Sequence, residues 1–319
     1  MMSRHDLEKT SCRNARHAYC IIAHSDPYCL QNLLRSIDDE RNDVYLLIDK
    51  KTGPDLEKGL ATYKSSLNII PLDKRIDIRW GGLSQVKAEL LLFKTAINSG
   101  DYSYIHLISG ADLPLKSQNY IHSFFSSLTP GTNIVTFSHG EAIRKNVEFK
   151  TRYYHPFVEN QRFRKDGNPG HLLKDFTAKL FRQLSVKSQK AVGYRRKWVG
   201  LELKKGSQWV SITKDLAKYL VAREEFILRK FRGVICSDEI FLHTMIFNSP
   251  YAGTIWDYKG EKTSTRHIDW KRGTPYVWRE EDFDELIKSE ALFARKFSSE
   301  KDKAIIDMIT RKVLSDSGF

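Results

Sequence analysis

The chain has 319 residues, 41% of them hydrophobic and 12% aromatic, which supports a sizeable buried core and excludes a disordered chain. Lys and Arg total 52 against 39 Asp and Glu, a formal net charge of +13. That surplus points to an anionic partner (nucleic acid, a membrane surface or a phosphorylated substrate) without choosing among them.

In chain order, the first sixteen residues, Met1 to Arg16, are polar and lack the apolar run and small-residue cleavage site of a signal peptide. Ala18–Ala23 (AYCIIA) predicts a strand, and Pro27–Ile37 has the leucine spacing of a helix. Asp43–Ile48 predicts a second strand, Pro54–Tyr63 a helix and Leu67–Pro71 a short strand. Ile76–Trp80 leads into Gly81-Gly82, after which Ser84–Asn98 predicts an amphipathic helix and Tyr102–Ile108 a strand. Strands separated by helices imply an α/β chain with a mainly parallel sheet covered on both faces. Ligands of such sheets gather at the carboxyl ends of strands, here His24-Ser25-Asp26, Asp49-Lys50-Lys51 and Ser109 to Asp112.

The middle, from about His139 to Gly206, is less regular and more basic, with Arg152-Tyr153, Arg162-Phe163-Arg164-Lys165 and Arg195-Arg196-Lys197-Trp198. Regular signals return in a strand at Ser207–Ile212 and one long helix at Lys214–Phe231. Ser237-Asp238-Glu239 precedes a helix at Ile240–Phe247; further helices are predicted near Glu281–Ser289 and over Glu300–Leu314. No repeat, low-complexity tract or linker interrupts the chain, so one integrated domain is expected. No stretch reaches the ~18 apolar residues of a membrane-spanning helix.

Four candidate chemistries stand out. Ser237-Asp238-Glu239 reads either as a helix cap or as a carboxylate held ready to deprotonate an incoming hydroxyl. The single D-x-D, Asp282-Phe283-Asp284, sits in a polar helix start and reads as a cap rather than a metal site. Without a metal, Lys or Arg must neutralise a departing phosphate; Lys271-Arg272 and Arg295-Lys296 suit that role. Ser109, Gly110 and Asp112 form a sharp turn at a strand end. No H-E-x-x-H, P-loop, G-x-G-x-x-G or G-x-S-x-G motif is present. The four cysteines, Cys12, Cys20, Cys29 and Cys236, have no zinc or disulfide spacing.

In order along the chain, AYCIIAHSD (18–26), VYLLIDKK (44–51), RWGGLSQVKAELLLFKTAI (79–97), YIHLISGADLPLKS (104–117), GSQWVSIT (206–213), SDEIFLHTMIFNSP (237–250), HIDW (267–270) and LFARKF (292–297) resemble one family. It is family 14 of the glycosyltransferases, the core-2/I-branching enzymes and peptide xylosyltransferases. The resemblance implies a GT-A fold over residues 17–298, with a nucleotide-sugar half (17–138), an acceptor and catalytic half (139–298) and a C-terminal helix (299–319). It also implies a UDP-sugar donor, inversion at the anomeric carbon and no metal or other cofactor. Glu239 is then the catalytic base, and Lys296 with Arg272 (or Lys271 by a one-residue shift) meets the diphosphate. Ala23, His24 and Asp49 contact the uridine, and Ser109, Gly110 and Asp112 complete the donor side. Trp209, Asp238, Arg152 and Tyr153 fall on the acceptor side.

The expected activity is transfer of GlcNAc or xylose from UDP-GlcNAc or UDP-xylose to a glycan acceptor, a lipid-linked one included. Lacking the luminal anchor and dense disulfides of animal members, the chain looks like a bacterial, cytoplasmic relative in surface-polysaccharide synthesis. Its basic middle is a candidate for peripheral contact with an anionic membrane. Peptide O-xylosyl transfer is the alternative. A nucleic-acid-binding protein is the rival class, supported only by aromatics interleaved with cations, and nucleic acid is not the expected partner.

Overall fold

The computed structural model describes residues 15–58, 60, 66–160, 169–257 and 265–317. Cys12, the segment 162–165 and part of the helix expected at 54–63 lie outside them. Five strands form the central sheet: β1 (His17–Ala23), β2 (Asn42–Ile48), β3 (Ser66–Ile69), β4 (Tyr104–Ser109) and β6 (Ser211–Thr213). Their order is β3-β2-β1-β4-β6; the first four are parallel and β6 runs antiparallel to β4. A smaller sheet joins β5 (Asp112–Pro114), β8 (Phe293–Arg295) and β7 (Arg266–Ile268) in the order β5-β8-β7. The architecture is the mainly parallel α/β sheet flanked by helices that the alternating pattern implied.

Strand alternation divides the core into two layers. Tyr19, Ile21 and Ala23 of β1 join one layer with Leu30 and Leu33 of α1 (Pro27–Ser36), Phe293 of β8 and Ile305 and Ile309 of α10 (Lys303–Ser315). Ala18 and Cys20 face the opposite layer, with Val86, Leu90 and Phe93 of α2 (Leu83–Ser99) and Leu216 of α6 (Lys214–Val221). Val86, Leu90 and Phe93 are spaced i, i+4, i+7, so one helix face covers the sheet. The C-terminal helix is thus part of the first core layer.

Several elements differ from expectation. The segment expected as a helix at 54–63 begins as a single 3-10 turn at Pro54–Glu57, matching Pro54 at its start and no long apolar stripe. The long helix expected over 214–231 is two helices, α6 and α7 (Glu224–Phe231), with Ala222 capping the first. The strand expected at 207–212 shortens to β6: Val210 O still accepts Leu107 N–H of β4 at 2.8 Å, but Gly206 N–H donates to Glu239 O and Ser207 N–H to Thr136 O, away from β4. The middle contains two helices that its charge concealed: α4 (Glu141–Thr151) and the 23-residue α5 (Pro169–Ala191). The remaining helices are α3 (Gln118–Ser127), α8 (Phe241–Phe247) and α9 (Phe283–Lys288).

Candidate active site

The carboxyl ends of β1, β2 and β4 open into a cleft of about 740 Å³. Backbone bonds align these ends: Asp49 N–H donates to Ala23 O at 2.8 Å, and Gly110 N–H donates to Ile22 O at 3.0 Å. A Cβ at Gly110 would lie 2.9 Å from the Ala23 Cβ, so only glycine lets β4 leave the sheet this close to β1. Asp49 accepts from Lys51 N–H at 3.0 Å and from Lys51 Nζ at 2.8 Å. His24, Asp49 and Ser109 line one wall of the cleft; Ala23, next to His24, is buried.

Asp112 stands behind Ser109, accepting its N–H at 2.9 Å and receiving Arg295 Nη1 at 2.6 Å. Burial raises the Asp112 carboxyl above its usual value, against the pull of Arg295. The Arg295 guanidinium also lies 4.4 Å from the centre of the Trp209 ring, and both side chains line the cleft. Trp80 and Trp270, 53% and 64% exposed, form aromatic walls at its rim.

The opposite wall is the 3-10 turn Ser237–Glu239. It is anchored by the R-W-G-G segment: Gly81 has φ +70°, its O accepts Cys236 N–H at 2.9 Å, and Ser237 Oγ reaches Gly82 O at 3.5 Å. From the other side, Gly206 N–H donates to Glu239 O at 2.9 Å. Glu239 is about one-third exposed, and its Oε2 receives both Lys150 Nζ at 2.9 Å and Lys205 Nζ at 3.1 Å. Burial would raise this carboxyl, but the two ammonium groups outweigh it and hold it below the ordinary value. Glu239 is therefore ionised at neutral pH, and no hydrogen bond occupies Oε1 among the described residues.

Its neighbour differs. Asp238 is 4% exposed, and its Oδ1 has no hydrogen-bond partner among the described residues. Burial, reinforced by the Glu239 charge, pushes its pKa up to about 7. Glu89 of α2 is fully buried with both carboxyl oxygens unpartnered among the described residues, and burial followed by Asp238 drives it well above the usual range. Three carboxyls thus differ sharply in environment: Glu89 is raised well above its usual range, Asp238 titrates near neutrality and Glu239 is held below its ordinary value.

The structure brings His24, Asp49, Ser109, Trp209, Asp238 and Glu239 into one cleft, with Ala23, Gly110 and Asp112 packed behind. Arg272 departs from the expectation that it faces a diphosphate. Its three guanidinium nitrogens bind Asp269, Asp282 (2.6 Å) and Glu285 (2.9 Å), and the side chain lies over Tyr276 and Trp278. Neither Arg272 nor Lys296 is among the residues lining the cleft; Arg295 is. The Asp282-Phe283-Asp284 motif is a cap, with Asp282 accepting Arg279 N–H at 2.9 Å.

Arg152 lines an adjoining groove of about 650 Å³ between α4 and residues 195–205. Tyr153 stands beside it, its ring between Arg152 and Lys190 at 5.9 and 5.7 Å. Lys205 lines that groove and bonds Glu239, so the two cavities share a wall. Sequence reasoning missed Lys150, Lys205 and Glu89, which come from two helices and a loop remote in sequence. Lys205 alone carried a local signal, standing immediately before the Gly206-Ser207-Gln208-Trp209 segment. Among the described residues, no group of three or more His, Cys, Asp or Glu side chains is gathered to hold a metal ion.

A family model described as Core-2/I-Branching enzyme matches residues 17–285. Xylosyltransferase 2 of Rattus norvegicus is 23% identical over 316 residues, covering 92% of this chain and 33% of that protein. Xylosyltransferase oxt of Drosophila melanogaster is 24% identical over 298 residues, covering 87% of this chain and 31% of that protein. Xylosyltransferase 1 of Homo sapiens is 22% identical over 323 residues, covering 95% and 31%. The chain spans about a third of the length of these relatives. Mouse xyloside xylosyltransferase 1 in its apo form is similar in structure at a TM-score of 0.37, with 11% identity over 87% of this chain and 96% of that one. Because the family model spans most of the chain, the protein belongs to the Core-2/I-Branching enzyme family of glycosyltransferases.

Proposed function

We propose that the cleft binds a UDP-sugar and that the chain is an inverting, metal-independent glycosyltransferase acting on a hydroxyl of a glycan acceptor. The acceptor oxygen attacks the anomeric carbon as the bond from that carbon to the diphosphate breaks. Its proton passes to Glu239, and UDP leaves with the bonding electron pair. The observation that carries this reading is the placement of one ionised carboxylate, Glu239, across the cleft from the ends of β1, β2 and β4. A general base must be both deprotonated and within reach of the acceptor proton.

On the donor side, Asp49 and His24 are suited to hydrogen bonds with the uridine, and the exposed Trp80 and Trp270 rings to stacking. Arg295 supplies fixed positive charge for the departing diphosphate, a form of stabilisation aimed at charge that develops in the transition state. Lys296, the next residue in sequence, is a second source of positive charge; Arg272 braces the 269–285 segment. The adjoining groove, with Arg152 and Trp198 in its wall, is the acceptor's approach to Glu239. The named relatives are xylosyltransferases, which supports xylose beside GlcNAc as the sugar moved. Buried free thiols at Cys20, Cys29 and Cys236 suit a reducing, cytoplasmic setting.

A thermal-shift screen against UDP, UDP-GlcNAc, UDP-xylose and other nucleoside diphosphates tests the donor class, since a ligand of the folded state raises its apparent stability. A rise with UDP and at least one UDP-sugar, in the presence of EDTA, is expected. No rise with any uridine nucleotide would remove the donor assignment.

A further inference from the structure

Helix α5 carries an apolar stripe that nothing among the described residues covers. Phe176, Leu180 and Leu184 repeat at i, i+4, i+8 with Phe181 beside them, and they are 64%, 44%, 48% and 59% exposed. The buried Ala178 marks the opposite side, by which the helix rests on the protein. Exposed Phe157 approaches Phe181 with ring centres 6.4 Å apart, extending the stripe beyond the helix. Contiguous exposed apolar surface of this kind is uncommon on a free globular domain and marks a contact.

The charges around the stripe identify that contact. Lys179 and Lys190 are exposed and fall at one border of it on the helical wheel, and exposed Lys187 follows Leu184 on the line of the stripe itself. Arg162, Arg164 and Lys165 precede the helix in sequence, and Arg195, Arg196 and Lys197 follow it. Aromatic and leucine side chains edged by long cationic ones are the composition of helices that lie in a membrane interface, where lysine stems reach along apolar surface to the headgroups. No helix of the described residues is long and apolar enough to cross a membrane. A second copy of the chain would set these cations against each other, whereas anionic headgroups complement them.

We propose that α5 is an interfacial helix that seats the protein on an anionic membrane through Phe176, Leu180, Phe181 and Leu184. The C-terminal end of the helix adjoins the acceptor groove: Lys190 lies over Tyr153, and Gln189 accepts Tyr154 N–H at 2.9 Å and donates to Tyr154 O at 2.8 Å. Resting on the glycosyl-transfer reading, this seat implies a lipid-linked acceptor entering that groove from the headgroup layer. The seat itself stands on the surface of α5 alone.

The test is cosedimentation of the full chain with phosphatidylglycerol-containing vesicles and with pure phosphatidylcholine vesicles. The variants are Phe176→Ser with Phe181→Ser, and Lys179→Gln with Lys187→Gln, each checked for an unchanged melting temperature. Binding to the anionic vesicles alone is expected, weakened at least about tenfold by either pair and by high salt. Three results would overturn the proposal: no binding to anionic vesicles, equal binding by the variants, or a wild-type dimer that the phenylalanine pair dissociates. UDP affinity and UDP-sugar hydrolysis in solution are expected to be the same in all three proteins. Loss of those activities in wild type would count against the transfer reading, and not against the membrane seat.

Discussion

Lys205 Nζ stands 3.1 Å from Glu239 Oε2, on the oxygen that Lys150 Nζ approaches to 2.9 Å from α4. Two cations on one carboxylate oxygen keep Glu239 ionised and fix its rotamer, while Oε1 remains for an acceptor. Replacing either lysine with Met raises the Glu239 pKa, because burial is then less well opposed. The acid limb of the kcat/KM profile is expected to move to higher pH in Lys150→Met and Lys205→Met. An unmoved limb would mean that Glu239 is not the group titrating there.

The Arg295–Asp112 pair joins the cleft to the core of the small sheet. Asp112 is only 2% exposed, so Arg295→Ala leaves a buried carboxyl without its partner and should cost roughly 3 kcal/mol or more in stability. Asp112→Asn added to Arg295→Ala should recover much of that loss in urea unfolding. UDP affinity, by contrast, is expected to stay low in both variants if Arg295 itself meets the diphosphate. Recovery of UDP affinity together with stability would reduce Arg295 to a structural group.

Asp238 makes stability depend on pH in a definite direction. The folded carboxyl keeps its proton to about pH 7, whereas in the unfolded chain it ionises near pH 4. Between those values the folded state binds more protons, so this group's contribution falls as pH rises. Glu89 from α2 acts in the same sense; Glu239 beside it and Lys150 from α4 set the local field. Burial lowers His122, His155 and His243 to about 4, which weakens the fold on the acid side and opposes the Asp238 trend. The difference between Asp238→Asn and wild type isolates the Asp238 contribution. Urea unfolding at pH 5 and pH 8 should show the variant gaining relative to wild type at the higher pH. A constant difference between the two proteins would contradict the assignment.

Gly206 is where the backbone beside the Glu239 turn is tightest. A Cβ there would lie 1.9 Å from Thr136 O and 2.4 Å from His243 Nε2. Gly206→Ala must therefore displace the backbone that donates to Glu239 O and carries Lys205. A lowered melting temperature and at least a tenfold loss of kcat are expected, with UDP affinity changed less. Wild-type turnover in this variant would show that the Glu239 turn does not depend on that contact.

The central sheet was legible because its strands are short apolar runs punctuated by Asp, Gly and Pro, and buried parallel strands need little else. The Ser237–Glu239 turn was legible as a motif but not as an environment. Lys150 lies on a helix hidden in a basic stretch, and Glu89 reads as one polar residue in an amphipathic helix. Neither spacing nor charge along the chain indicates that both approach one turn. Arg272 illustrates the converse: the family resemblance implied a diphosphate contact for it, yet Asp269, Asp282 and Glu285 converge on it in space. Helices α4 and α5 escaped notice because charge density masked their period. In α5, Phe176, Leu180, Phe181 and Leu184 face outward rather than into the core.

Glu239→Gln tests the account most directly, since it removes the proposed base and keeps the shape of the side chain. UDP release from saturating UDP-sugar should fall by roughly 10²–10⁴-fold, with UDP affinity in titration calorimetry unchanged from wild type. Turnover at the wild-type rate in Glu239→Gln, with UDP still bound, would contradict it.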